Sequence, residues 1–445
     1  MIVAMHRPIL LFLALIFTLT ASCFSQTAPQ AVAPSTTPPP AAVMSPDNPD
    51  SFDPAAATKA WLDTVPSDKR AKSDAYFEGG YWLILWNFLL GAVIFYLLLE
   101  TGVSARLRDL AERLTSFKAL QVILYAIPFL VIVALLTFPM TIYQYFFREH
   151  QYGLATQTFG PWLAERGIDL ILTMILLPLA LVILYAVFRK LPRTWWLWAT
   201  VVVAAFQFFG AFIAPLYIEP LYNKYRPLED PALRDPILTM ASANQIPVKQ
   251  VLVVDQSRQT TRISANVAGF LHTTRIALND NLLKQCSLPE IRAVMAHEMG
   301  HYILNHLTKL VIGQSVVFLL VFAVTAALFN AAIKRRGEKW GVRSLGDPAG
   351  LPLLALILNL LFFLLTPVVN TIGRTTEAEA DAFGLNTARE PDGFSTVSLK
   401  LGTYRKLDPC PWEEVIFFDH PSGRARIRMS MDWKAAHMPC GNAKD

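Results

Sequence analysis

Six stretches of the chain are apolar over about the 20 residues that a helix needs to cross a bilayer. They are 81–99, 119–147, 169–188, 194–217, 309–333 and 351–373. A shorter run, 8–22, follows Arg7 and precedes small residues. That is the pattern of a secretory signal peptide cleaved near Ser25, with a retained first transmembrane helix as the alternative. Residues 26–54 are rich in Pro, Ala, Ser and Thr and read as an extended linker. The long polar segment 218–308 has a different pattern. VLVVD at 251–255 and RIALND at 275–280 read as strands bounded by turn formers. Ser287 and Glu290 form a capping box with Pro289 in the first turn, which predicts a helix running through EIRAVMAHEMGHYILNHL. The expected fold class is a mainly α, polytopic membrane protein with six or seven transmembrane helices and a small α+β domain. The expected organisation is residues 1–25 as signal or first span, 26–75 as Pro-rich linker and polar segment, and 76–220 as a four-span membrane domain. Residues 221–445 then form a second domain that includes the spans 309–333 and 351–373.

Composition agrees with this division. The chain is 53% hydrophobic and 16% charged, where soluble chains carry roughly 25% charged residues. Its net charge of +5 is spread through loops without a clustered basic face, which sets nucleic-acid binding aside. Loops 100–118, 189–193 and 334–350 are basic, whereas 148–168 holds only Arg148 and Arg166. If all six spans cross, the three basic loops share one side, and the positive-inside rule makes that side cytoplasmic. The region around His297 and the C-terminal tail then face outward, towards the periplasm or exterior of a cell (inner) membrane. Trp195, Trp196 and Trp198 open the fourth span as an interfacial belt. Several spans carry amides, among them Asn87, Gln144, Gln207, Asn359 and Asn370, suited to interhelical hydrogen bonds or to a wet cavity. Of the four cysteines, Cys23, Cys286, Cys410 and Cys440, none has zinc-ribbon spacing; Cys410 and Cys440 share the polar tail and are able to pair in an oxidising compartment.

The candidate chemistry lies at residues 297–301, His-Glu-Met-Gly-His. Two imidazoles four apart share a helix face and can reach one metal ion, while Glu298 projects beside them to hold a water. Catalytic zinc usually takes three protein ligands and leaves a position open. The acidic candidates follow the last span: Glu377 and Asp381 are four apart and stack on one helix face, while Glu379 points roughly the opposite way. One of the stacked pair is suited to binding metal, the other to accepting the N–H of a ligand histidine. His306, about 140° round a continuous helix from His301, is expected to be an ordinary interfacial histidine, as are His150 and His272. Gly300 costs helix stability and marks a close approach of another backbone.

Several ordered blocks carry a resemblance over about residues 75–430: HQYGLATQTFGPWL at 150–163, IEPLYNKYRPLEDPAL at 218–233, VVDQS at 253–257, NVAGF at 266–270, RIALNDNLL at 275–283, AVMAHEMGH at 293–301, EAEADAFG at 377–384 and DHPSGRARI at 419–427. The chain resembles the type I CAAX prenyl protease family of integral-membrane zinc metallopeptidases. The resemblance implies a ring of transmembrane helices around a water-filled chamber, with a zincin-like peptidase domain facing inward. It implies one Zn2+ per chain, held by His297, His301 and Glu377, with Asp381 behind a ligand histidine. Glu298 becomes general base and acid, His420 and Arg426 help hold the substrate carbonyl and backbone, and Asn266 lies on the strand that receives the peptide. The implied partners are a peptide or protein substrate and the lipid bilayer. The implied activity is a metalloendopeptidase acting on membrane-associated or C-terminal peptides, or in protein quality control. The competing reading is a catalytically idle membrane scaffold of the same fold. An intramembrane-cleaving protease is disfavoured, because polar sequence precedes the motif helix.

Overall fold

The computed structural model describes residues 52–269 and 274–438. The apolar run 8–22, most of the linker, His272 and Cys440 lie outside the described residues. The chain opens with helix α1 (Pro54–Asp63), whose Asp53 side chain caps it by accepting from the amides of Ala55 and Ala56. Helix α2 (Ser67–Glu100) follows, then the short amphipathic α3 (Val103–Leu114), and then α4 (Lys118–Gln151), α5 (Phe159–Lys190) and α6 (Trp195–Leu221). The α2, α4, α5 and α6 helices are long and apolar enough to cross a membrane. Large apolar side chains such as Trp82, Leu135, Ile171 and Phe209 stand exposed on them, as lipid-facing positions would. Residues 54–75, expected as linker and polar segment, are largely helical. At a rise of 1.5 Å per residue α2 is about 50 Å long, far more than the hydrocarbon thickness.

A four-stranded sheet comes next: β1 (Tyr225–Pro227), β2 (Val251–Val254), β3 (Ala265–Ala268) and β4 (Arg275–Asn279), with α7 (Pro231–Ala243) between β1 and β2. The order is β1-β2-β4-β3, with β2 and β4 parallel and both outer strands antiparallel to their neighbours. The strands expected at 251–255 and 275–280 are therefore present and adjacent. Strand β3 is an edge, with Asn266 opposite Ala277. After α8 (Asp280–Gln285), helix α9 (Leu288–Ile303) begins at the expected capping box, where the Ser287 amide donates to Glu290 Oε2 at 2.6 Å. Lys400 then pairs with the same carboxylate at 2.7 Å. An apolar core that includes Val251, Val267, Ile276, Leu278, Ile291 and Met295 joins the sheet to α9.

Helix α9 does not run on to Leu307 as its sequence pattern predicts. It stops at Ile303, Asn305 adopts left-handed φ/ψ of 54° and 41°, and a new helix α10 (His306–Trp340) leaves as the fifth long apolar helix among the described residues. Asparagine tolerates that conformation better than most residues. The last apolar stretch is a broken element: α11 (Leu351–Leu364) and α12 (Thr366–Ala388) meet at 58°. Pro367 lies at the break, with no N–H to continue the helical ladder and a steric bias against helix in the residue before it. The chain ends with α13 (Pro391–Leu401), α14 (Pro411–Phe417) and α15 (Gly423–His437). Trp61 and Leu62 of α1 pack with Ile427 and Met431 of α15.

The helix bundle has two chemically distinct ends. At one, the three basic loops gather: the buried Arg108 pairs with Asp347, Trp340 Nε1 donates to Glu100 at 3.0 Å, and Arg343 donates to Glu112 at 2.9 Å. At the other, Ser73 donates to the carbonyl of Gly402 at 2.6 Å and Tyr76 donates to Glu149 at 2.6 Å, joining α2 to the sheet-bearing half. Three of the wall amides serve the purposes expected of them, whereas Gln207 is buried away from the cavity with no side-chain hydrogen bond among the described residues. Gln144 donates to Asn87 at 2.9 Å where both border a cavity, and Asn359 donates to the Phe88 carbonyl at 2.9 Å between helices. That cavity measures about 870 Å³ and is walled by α2, α4 and α5 on one side and by the sheet and α9 on the other.

Candidate active site

His297 and His301 leave the same face of α9, and their Nε2 atoms stand 3.1 Å apart. Helix α12 brings in the acid. Glu377 Oε2 is 3.3 Å from His297 Nε2, and its Oε1 is 3.5 Å from His301 Nε2. A tetrahedral zinc ion with ligands at roughly 2.0–2.1 Å separates its donors by about 3.3 Å, so this donor set and spacing fit zinc. The three residues are buried, and their donor atoms all lie within 4.8 Å of one another. Of the two stacked acids, Glu377 is the one that meets both Nε2 atoms. Asp381 sits behind, its Oδ1 2.8 Å from His297 Nδ1.

Close helix packing makes this convergence. A Cβ on Gly300 would lie 3.3 Å from the Ala380 Cα and 3.2 Å from the Phe383 Cβ. A Cβ on Gly384 would lie 3.1 Å from the His297 nitrogen. Two missing side chains thus let α9 and α12 touch at the level of the ligands, which is the role expected for Gly300. Gly384 was not singled out by its sequence context.

Glu298 is half-buried beside His297 and borders the cavity. His420 enters from the loop before α15. Its Nε2 is 3.3 Å from Glu377 Oε2, and its Nδ1 is 2.8 Å from Asp419 Oδ1. That loop is tied to α12: Arg374 donates to the Phe418 carbonyl at 2.7 Å, and Asn370 donates to the Ile416 carbonyl at 2.8 Å. Arg426 borders the cavity, where it is expected to hold substrate, but departs from that expectation in also holding an acid. Its buried guanidinium grips Asp381 two-pronged, with Nε to Oδ2 at 2.7 Å and Nη2 to Oδ1 at 2.5 Å. Its Nε and Nη2 are thereby committed to the acid behind His297. Asn266, on the edge strand, is buried at the cavity wall, and its Oδ1 has no hydrogen-bond partner among the described residues. An acceptor left open there is suited to a peptide N–H.

His306 is a second departure. The turn at Asn305 folds it back against His301, and it is fully buried rather than interfacial. Its Nδ1 lies 2.8 Å from His301 Nδ1, and its Nε2 lies 3.2 Å from Glu379 Oε2. Glu379 points away from Glu377, as its spacing predicts, and reaches this third imidazole. An asparagine between two histidines was the available signal, since it offers a place for the helix to break.

The two histidines of the candidate site have opposite tendencies without metal. Burial disfavours charge on His297, but the carboxylates of Asp381 and Glu377 outweigh it and raise its pKa to about 9. His301 is held well below its ordinary value, chiefly by burial.

Comparison with known proteins identifies the family. Residues 227–433 match the model of peptidase family M48, and residues 54–224 match the model described as CAAX prenyl protease N-terminal, five membrane helices. The chain is 30% identical over 337 residues to YhfN of Bacillus subtilis, described as an uncharacterized metalloprotease, covering 75% of this chain and 79% of that one. It is 28% identical over 308 residues to CAAX prenyl protease 1 of Saccharomyces cerevisiae, covering 66% and 68%. In fold it is similar to the crystal structure of S. mikatae Ste24p, with a TM-score of 0.70 at 23% identity over 83% of this chain and 90% of that one. The chain belongs to peptidase family M48 and is a multi-pass membrane metalloprotease of the CAAX prenyl protease type.

Proposed function

We propose that this protein is a zinc endopeptidase that admits an extended peptide into the cavity and cleaves it beside α9. The observation that carries this reading is the His297, His301 and Glu377 donor set at zinc spacing, opening with Glu298 onto a cavity of about 870 Å³. Zinc held there supplies Lewis acidity, which makes a water acidic near neutrality and polarises a carbonyl. Glu298 accepts the proton of the attacking water and delivers it to the leaving amine. His420, beside Glu377, donates a hydrogen bond to the charge developing on the carbonyl oxygen, the kind of contact that often contributes most to acceleration. The peptide adds to the free edge of β3, its N–H groups meeting acceptors that include Asn266 Oδ1. Arg426 holds Asp381, and Asp381 holds His297.

The substrate class is membrane-associated proteins and C-terminal peptides, including those arising in protein quality control. The names of the prenyl protease relatives add lipid-modified peptides to that set. The gathering of the basic loops at the end opposite the sheet supports placing the site on the outer side of the membrane. The test is Glu298→Gln in the purified full chain, read by zinc content and peptide cleavage. Retained zinc with cleavage lost by a thousandfold or so is expected. Cleavage near the wild-type rate would refute the role of Glu298.

A further inference from the structure

We infer that His306 is a positioning residue for the metal site, locking His301 through its non-ligating nitrogen and linking it to Glu379 at the surface. The inference rests on the zinc reading of the site. If His301 binds metal through Nε2, its proton sits on Nδ1. That N–H points at His306 Nδ1, 2.8 Å away, which must then accept. An imidazole accepting through Nδ1 carries its own proton on Nε2, and this atom stands 3.2 Å from Glu379 Oε2. Each tautomer in the chain follows from the one before it. His306 is wholly buried, while the Glu379 side chain is 49% exposed and paired with Lys309, so the chain runs from the metal site to solvent.

The two ligand histidines are therefore supported differently. His297 leans on a buried carboxylate, Asp381, whose charge Arg426 balances. His301 leans on a neutral ring, with the carboxylate one imidazole farther out. A third buried anion beside Glu377 and Asp381 would have needed a second buried cation. The interposed ring gives the same orientation without one. It depends on the chain break at Asn305, because residue 306 of an unbroken helix would point elsewhere.

The experiment uses the full chain in detergent and measures zinc affinity by chelator competition, together with thermal unfolding of the metal-free protein. His306→Leu should weaken zinc binding roughly 10–100-fold. His306→Gln, whose amide can accept from His301 and donate to Glu379, should recover most of that loss. Glu379→Ala, a half-exposed change that leaves the packing intact, should weaken zinc binding on the order of threefold. It decides the matter if His306→Leu fails to fold. Zinc affinity within twofold of wild type in both His306→Leu and Glu379→Ala would overturn the inference, as would His306→Gln binding no better than His306→Leu. Wild-type protein that takes up no zinc would instead overturn the metal reading on which the inference stands.

Discussion

Gly384 lies directly beneath His297, so close that a Cβ there would stand 3.1 Å from the His297 nitrogen and 3.2 Å from its Cα. This contact sets how near α12 comes to α9. Glu377 is two helical turns up the same helix from Gly384, so the contact governs where the third donor arrives. The metal site is as much a product of helix spacing as of its ligands.

Gly384→Ala should therefore lose on balance, although it improves helix propensity by about 1 kcal/mol. Forcing a methyl into packed backbone costs about 1–3 kcal/mol. We expect lower thermal stability and zinc affinity reduced on the order of tenfold. Chelator competition and a melting curve check both. A more stable variant with unchanged affinity would show that the contact is not tight.

Arg426→Leu should destabilise the fold itself. It leaves the fully buried Asp381 carboxylate without its cation, which typically costs about 3–5 kcal/mol. Arg426→Lys keeps the charge without the two-pronged grip and should fall between. Chemical denaturation of metal-free protein reads this directly. A residue that chiefly touched substrate would alter turnover and leave the denaturation midpoint unmoved.

Zinc uptake should release a proton. His297 stays protonated to about pH 9 in the metal-free site, well above its ordinary 6.5. Its contribution to metal-free stability is present in full below pH 6.5 and is lost as pH rises through about 9. Metal requires the neutral ring, so zinc affinity should rise about tenfold per pH unit between those values and level off above. Titration calorimetry in buffers of different ionisation heat counts the protons. No release at pH 7.5 would mean that His297 is already neutral.

Cys286 should resist alkylation in the folded protein. Its thiol is buried, and burial pushes its pKa up to about 12, so almost no thiolate exists at pH 8. The stability it lends as a neutral thiol is lost only in alkali, above its unfolded pKa. Mass spectrometry after maleimide treatment should find Cys286 unmodified until denaturant is added. Labelling before unfolding would place it at the surface. With Cys23, Cys410 and Cys440 replaced by serine, its inertness suits the chain to topology mapping with single cysteines introduced at Lys190 and Lys434, which should label from opposite sides of the membrane.

Much of this protein was legible in the order of its residues because the physics involved is local. Apolar length marked the long helices, alternation and turn formers marked β2 and β4, and the Ser287–Glu290 box marked the start of α9. The spacing of His297 and His301 put both rings on one face wherever a helix formed. The broken elements were not legible in the same way. Apolarity runs straight through residues 351–373, and Pro367 offers a place for a break without setting the 58° angle at which the two helices meet. The helical pattern runs straight through Asn305, while the chain turns there.

Sequence by itself determined that two imidazoles and a carboxylate partner were available to a metal, and that the carboxylate was Glu377 or Asp381. The family resemblance favoured Glu377, but only the tertiary structure set the distances of those acids from the two imidazoles, put the Arg426 guanidinium on Asp381, and drew His306 against His301. The reason is physical. Periodicity sets which side chains share a face of one helix, but the distance between α9 and α12 comes from packing, and here Gly300 and Gly384 permit it.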